Sequence, residues 1–274
     1  MTKKKVVALS CLCADVYDKV MTAGGETLNF AANCCHHSHL QLYIIGVVGK
    51  DEFGKEIINS IKDKNIDTTH LYVLDGDTVH NRTYLTDKGE KYYTADSFHS
   101  GIMMEYTLSD SDKELIKSAD LVHITAHSPN LDEVLQYRKC YSFPLSIDLD
   151  TRRDYENWRE ILPLADFIFV SGNDEVIENA GRLSKEYKDA VITVTLAEKG
   201  SVTFKGGKRY SCEAVKVSKV VDTTGCGDSF AAGFLSEYLL SGDIKKAMQS
   251  GAERASITLG FIGGFKYKDS QEMN

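Results

Sequence analysis

Only three prolines are spread over 274 residues, so no proline-rich linker divides the chain. No apolar run approaches the roughly 20 residues that a membrane-crossing helix requires. The run Val6-Val7-Ala8-Leu9, which follows Lys3-Lys4-Lys5, is too brief for a signal-peptide core and reads as a first strand. Internal repeats are lacking too. Basic residues do not predominate: 32 Lys and Arg stand against 40 Asp and Glu, and the net charge of −8 argues against a nucleic-acid partner. The seven cysteines make no disulfide framework, because they are odd in number and the chain is too long to depend on covalent staples. A reducing, cytoplasmic setting without membrane contact is expected. What is present, 42% hydrophobic and 26% charged residues, is the make-up of a globular chain long enough to bury a large core.

Short β-rich apolar runs alternate with stretches of helical periodicity, the pattern of a parallel sheet covered by helices. Core strands are expected at 5–9, 42–46, 121–124, 145–148, 167–170 and 190–195, each reading as buried on both faces. Helices are expected near 25–38, 52–64, 109–118, 130–139, 173–187, 227–241 and 243–259. Residues 71–95 break this rhythm, with Tyr84, Leu85, Tyr92 and Tyr93 set among the turn signals Asp75-Gly76-Asp77 and Asp87-Lys88-Gly89-Glu90. They read as consecutive strands, either a cover over a site or an edge hairpin.

The chemistry concentrates in Asp222-Thr223-Thr224-Gly225-Cys226-Gly227-Asp228-Ser229-Phe230. Two glycines lead straight into a helical pattern, so their backbone can turn amides toward a ligand at a helix N-terminus, a favourable place for phosphate. Asp228 at the same junction is placed to accept a proton from an attacking hydroxyl. A lone Gly-x-Gly-Asp reads equally as a tight turn with a helix cap.

The full string resembles the Asp-Thr-x-Gly-Ala/Gly-Gly-Asp signature of the ribokinase-like (PfkB) carbohydrate kinases, with Cys226 in the Ala/Gly place. Gly24-Gly25-Glu26-Thr27-Leu28-Asn29 resembles that family's Gly-Gly-x-x-x-Asn segment, and Gly46 to Gly54 resembles its Gly-x-x-Gly-x-Asp-x-x-Gly segment. Thr193 to Ser201 resembles its nucleotide-side strand and turn. No Gly-x-x-x-x-Gly-Lys-Ser/Thr occurs, which sets a P-loop site aside.

The resemblance implies one ribokinase-like domain over residues 1–274, a three-layer α/β/α sandwich with a mainly parallel central sheet and a small β-sheet lid from segments 11–23 and 71–95. It implies ATP as phosphoryl donor, Mg²⁺ between the phosphates, a monovalent cation such as K⁺ near Asp222, and in-line transfer to a sugar-type acceptor. Asp228 would be the base, and the amides of Gly225, Cys226 and Gly227 an anion hole. Asp15, Gly25, Asn29 and Arg82 would bind the acceptor, Thr195, Ala197, Gly200 and Thr224 the nucleotide, and Glu175 and Asp222 the metals. Relatives also imply a homodimer through the lid. Val16-Tyr17, Tyr93-Thr94 and Gly263-Gly264-Phe265 resemble the bacterial fructosamine kinases, which implies phosphorylation of a fructosamine such as fructoselysine at its 6-hydroxyl, with Arg82, Asp96 or His99 reading its amino-acid end. A nucleoside kinase and an inactive sugar-sensing module stay open.

Three departures stand out: Ser10-Cys11-Leu12 after the first strand, Ala197 where glycine is common, and the metal-associated Asn-x-x-Glu altered to Asn173-Asp174-Glu175. Cys34-Cys35-His36-His37-x-His39 is read as a helix end rather than a metal site, since only Cys35 and His39 have the spacing of one face. Cys226 is read as a small residue whose alkylation blocks the loop, with a thiol lowered by the helix N-terminus as the alternative. His123 and His127 are read as core or edge histidines.

Overall fold

The computed structural model describes residues 2–271; residue 1 and residues 272–274 of the expected domain lie outside the described residues. In chain order the strands are β1 (Lys4–Leu9), β2 (Cys13–Val16), β3 (Met21–Gly24), β4 (Leu40–Gly49), β5 (Ile66–Leu74), β6 (His80–Arg82), β7 (Tyr84–Leu85), β8 (Lys91–Tyr92), β9 (Phe98–His99), β10 (Leu121–Thr125), β11 (Leu145–Asp148), β12 (Phe167–Ser171), β13 (Val191–Thr195), β14 (Ser201–Lys205) and β15 (Lys208–Cys212). The helices are α1 (Glu26–Cys34), α2 (Glu52–Ile61), α3 (Asp110–Lys117), α4 (Leu131–Cys140), α5 (Tyr155–Ile161), α6 (Asp174–Glu186), α7 (Cys226–Ser241) and α8 (Ile244–Thr258).

Nine strands make one sheet in the order β15-β14-β13-β12-β11-β10-β1-β4-β5. From β5 to β13 the neighbours run parallel; β14 and β15 return antiparallel at one edge. The apolar runs explain the layering. Val7 and Leu9 of β1 enter the core shared with α3, α4, α5 and α6, whereas Val6 and Ala8 enter the core shared with α1, α2, α7 and α8. Alternation along one strand thus feeds two cores, and the result is a three-layer α/β/α sandwich with a mainly parallel sheet. Each fully buried Val, Leu or Ile contributes roughly 1.5–3 kcal/mol.

A second sheet of four short strands, β3-β2-β6-β9, stands apart, as does the two-stranded β7–β8 hairpin. Residues 71–74 of the expected cover belong instead to the large sheet, where Leu71 to Leu74 pair with Gly46 to Gly49. The long β4 offers an open edge there, and Leu71 packs on the core beneath α1 and α2. The Gly46–Gly54 motif holds the two sheets together. Asp51 caps α2 by accepting from the Gly54 amide at 2.8 Å, and it also accepts from the Thr78 amide (2.8 Å) and hydroxyl (2.6 Å). That bond pattern ties the turn before β6 to the start of α2.

Candidate active site

β1 lies between β10 and β4, so successive connections leave it in opposite directions and open a crevice at the carboxyl ends of the strands. Backbone strain collects along the same edge. Among the described residues three that are not glycine have positive φ: Ser10 (100°) after β1, Asp150 (52°) after β11 and Ala197 (52°) after β13. Left-handed backbone in such residues persists only where surrounding structure enforces it, and it concentrates at functional sites.

The N-termini of α1 and α7 converge on this crevice. Asn29 of α1 donates from Nδ2 to Asp228 Oδ2 at 2.8 Å. Asp228 is 9% exposed, and burial pushes its carboxyl up to about 7, with Glu26 adding to the rise and Asn29 and Lys91 opposing it. The turn before α7 is held from behind by Asp222, which is fully buried and accepts from Tyr17 Oη (2.7 Å), the Thr224 amide (2.8 Å) and the Gly263 amide (2.8 Å). Gly225 has φ 72°, and a Cβ there would stand 2.5 Å from Gly264 Cα. Only glycine meets both conditions. A Cβ on Gly227 would instead meet nothing within 4 Å, so that face of the helix start is open. Amides of a first helical turn lack intrahelical partners and suit an anion. The Cys226 amide partly satisfies itself on the Thr223 carbonyl at 3.3 Å.

On the acceptor side, Asp15 is buried, accepts from Thr83 Oγ1 at 3.0 Å, and is pushed up to about 6 by burial. Gly25, with φ 88°, lies so close to Cys11 that a Cβ would stand 2.7 Å from the Cys11 carbonyl oxygen. Asn29 Oδ1 is buried without a hydrogen-bond partner and is closely packed against Gly264, where a Cβ would stand 2.2 Å from it. Arg82 does not join this group. Asp15 pairs with Asn81 and Val16 with Arg82, so strand alternation turns Arg82 to the face opposite Asp15, where it is exposed with its guanidinium 5.6 Å from the Tyr84 ring centroid. The expected acceptor contact by Arg82 is corrected accordingly.

The residues expected from sequence to meet the nucleotide are dispersed among several elements. Thr195 ends β13, with Oγ1 3.2 Å from Ser171 Oγ. Ala197 occupies the left-handed conformation that a glycine would take without cost. Gly200 (φ 90°) packs on the backbone of Cys212 to Ala214, and Thr224 is buried with its hydroxyl 3.2 Å from Tyr17 Oη, so packing alone accounts for both. Glu175 is exposed at the start of α6, receiving Tyr155 Oη at 3.4 Å. Among the described residues one trio of ligand-bearing groups lies within 4.8 Å of one another, Glu26, His127 and Asp150; Glu175 and Asp222 are not part of it. Burial and the charges of Asp222 and Asp228 push the Cys226 thiol up to about 12, against Lys91, and Sγ turns toward the Ala255 carbonyl. His123 is buried, stacked on Phe30 and driven down to about 3 by burial, hence neutral.

Glu26, Thr83, Lys91, Asp148 and Asp150 were not singled out from sequence, although burial and charge couple them to this site. The Asp148-x-Asp150-x-Arg152 spacing after a strand was the available signal for the last two. The arrangement as a whole offers a buried base of near-neutral pKa beside an open helix N-terminus, which is suited to activating a hydroxyl against a phosphoryl group.

The pfkB family carbohydrate kinase model matches residues 14–264. The chain is 28% identical over 270 residues to a fructosamine kinase (FrlD) of Bacillus subtilis strain 168, covering 96% of this chain and 93% of that one. It is 25% identical over 266 residues to the fructoselysine 6-kinase of Escherichia coli K12, covering 96% and 100%. Among solved structures, an Arabidopsis thaliana ribokinase complexed with ribose and ATP superposes with a TM-score of 0.78 at 21% identity, covering 96% and 94%.

Proposed function

The chain belongs to the pfkB family of carbohydrate kinases, and from that premise we propose that Asp228 takes the proton of the acceptor hydroxyl and that the acceptor is a fructosamine such as fructoselysine, phosphorylated at the 6-hydroxyl. As an ATP-dependent phosphotransferase it must break the acceptor O–H bond, form an O–P bond and break the bond from the γ-phosphorus to ADP. Asp228 receives the proton; the open amides at Gly227 and the start of α7 face the charge on the transferring group. The single observation that carries this reading is the Asn29–Asp228 bond at the α7 N-terminus, which orients a carboxylate held near neutrality.

Acceptor orientation falls to Asp15, Gly25 and Asn29, the last through the bond that holds Asp228 in place. The fructosamine choice draws on the two kinase relatives and on charge: Asp15, Glu26 and Asp228 crowd the cleft, which favours an acceptor carrying an amine over one already phosphorylated. Thr195 and Ala197 line the nucleotide side. The carboxylates of Glu26 and Asp150 are the hard oxygen donors that would hold a divalent metal, proposed to be Mg²⁺, which when bound would neutralise phosphate charge. Asp222 fits a K⁺ ion poorly, because three donors already take up its carboxylate. A homodimer through the small sheet is proposed from Phe98 of β9, 55% exposed; sedimentation of F98D as a monomer against a native dimer tests it.

Two measurements decide the reading. Asp228→Asn should lower turnover about 10³-fold or more while nucleotide still binds. A panel of fructoselysine, other fructosamines, fructose, ribose and nucleosides should give the highest kcat/KM with a fructosamine; a nucleoside at the top would overturn that acceptor, and near-native turnover in D228N would overturn the base.

A further inference from the structure

The segment after α8, residues 261–271, touches both halves of the site. On the phosphate side, the Gly263 amide donates to Asp222 Oδ2 at 2.8 Å, and Gly264 presses on Gly225 so closely that neither has room for a Cβ. On the acceptor side, Gly264 packs on the Asn29 amide group, again with no space for a side chain. Asn33 Nδ2 donates to the Gly264 carbonyl at 2.9 Å and to the Asn29 carbonyl at 2.8 Å. Gly264 is thus wedged between α1 and the loop before α7, the two elements that the Asn29–Asp228 bond joins. Farther along, Tyr267 Oη accepts from the Ala23 amide at 2.7 Å, just before Gly24 and Gly25, and donates to Glu56 of α2 at 2.5 Å. Lys268 Nζ reaches the same Glu56 and the Met21 carbonyl.

Two consecutive glycines give a turn no stiffness of its own. Here the stiffness comes from one fully buried side chain, Gln271. Its Nε2 donates to the Ile262 carbonyl at 3.0 Å and to the Phe265 carbonyl at 2.7 Å, the residues that flank Gly263 and Gly264. Its Oε1 accepts from the Tyr267 amide at 2.8 Å and the Lys268 amide at 2.9 Å. A glutamine amide has two donors and two acceptor positions, and all four are used. The Gln271 carbonyl adds a bond from the Ile262 amide at 2.9 Å. A clamp of this kind could hold any loop of the fold. This one holds the turn that sets how far Asn29 stands from Gly225.

We infer that Gln271 is a positioning residue of phosphoryl transfer, with Tyr267 as its anchor: by clamping Gly263 and Gly264 it fixes the spacing of α1 against α7, and so the place of Asp228 relative to the acceptor hydroxyl and the phosphoryl group. Gln271 acts through Gly264 and Asn29, and Tyr267 through Ala23 and the two glycines that follow it. A reaction in line tolerates little error in that spacing, since a displacement of about 1 Å can lower a rate about 10²-fold. Both halves of the site are then set by one segment, which keeps them in register as the crevice fills and empties.

This inference rests on Asp228 being the base, and its test separates the two. Gln271→Met keeps the length of the side chain and removes its four hydrogen bonds. Tyr267→Phe keeps the ring against Phe265 and removes the bonds to Ala23 and Glu56. Each full-length variant is assayed well below its own midpoint of thermal unfolding, with the acceptor that gives the highest kcat/KM, so that lost stability alone leaves kcat unchanged. Q271M should lower kcat about 10- to 100-fold while KM for acceptor and for MgATP stays within about threefold of native. Y267F should lower kcat in the same sense by less. Added to D228N, Q271M should cause no further loss, because it acts through a base already removed. Native kcat in Q271M overturns the role; should Q271M fail to fold, native kcat in Y267F does so. A further loss in the double variant overturns action through Asp228. Near-native turnover in D228N would instead overturn the base itself.

Discussion

As the proposed base, Asp228 would work only when ionised, and burial with the charge of Glu26 pushes its carboxyl up to about 7 against Asn29 and Lys91. The group gains activity as pH rises through that value and loses it below, where the rate should fall about tenfold per unit. Asp15, pushed up to about 6, protonates next and steepens the decline. A kcat/KM profile with fructoselysine that stays flat down to pH 5 would contradict this ordering. Ala197 yields a second expectation. A left-handed alanine costs about 1–2 kcal/mol, and glycine's freedom in the unfolded chain returns roughly half of that, so Ala197→Gly should gain about 0.5 kcal/mol in denaturant unfolding; a loss of 1 kcal/mol would refute the strain. Asp228, Gly225 and Asn29 were legible in sequence because each sits in a short contiguous signature. Arg82 misled because its position in the chain is near Asp15 while strand alternation sends its side chain the other way. The place of Lys91 was illegible, since nothing local marks a lysine whose amide bonds to Thr223, far along the chain.

Among the elements, α3 shows how one buried side chain secures a helix to a sheet edge. Asp112 forms a capping box with Ser109 and accepts from His70 and Tyr72 of β5 and from Tyr106. Burial alone would raise its carboxyl, but the bonds from Tyr106, Ser109 and His70 hold it below the ordinary range. A depressed carboxyl contributes stability that is present above the unfolded-state value near 4 and is lost as pH falls through the folded one. Asp112→Ala should therefore cost about 3 kcal/mol at pH 7, and less in acid; chemical denaturation at pH 7 and pH 3 measures both. An equal cost at the two pH values would show that the charge is irrelevant. Most helices and parallel strands were legible because apolar periodicity fixed them. The β14–β15 hairpin escaped although Gly206 and Gly207, both with positive φ, are a hairpin turn signal. α5 escaped because its seven residues carry too little periodicity.

For the molecule as a whole, ligands that bind the crevice bridge parts of the fold that are distant in sequence, and occupancy should stabilise all of them. MgATP at 100 times its dissociation constant should add about 2.7 kcal/mol, a Tm rise of roughly 5–10 °C. D228N should keep that rise, because it removes a proton acceptor rather than a nucleotide contact; its loss would reassign Asp228 to nucleotide binding. The three-layer architecture was readable from alternating strands and helices. The division of the small strands into a four-stranded sheet and a separate hairpin was not, because two-residue strands leave no period to read.

The place of β1 in the centre of the large sheet has a consequence during synthesis. β1 leaves the ribosome before its partners, and β4 soon pairs along one side of it with β5 beyond, but its other edge must wait for β10. At ordinary elongation rates that edge stays open for roughly 10 s, a template for unwanted strand pairing in the crowded cell. The same order holds chemistry back: α7 and Asp228 follow every strand of the large sheet in the chain, so the proposed base arrives only after the sheet beneath it has been made.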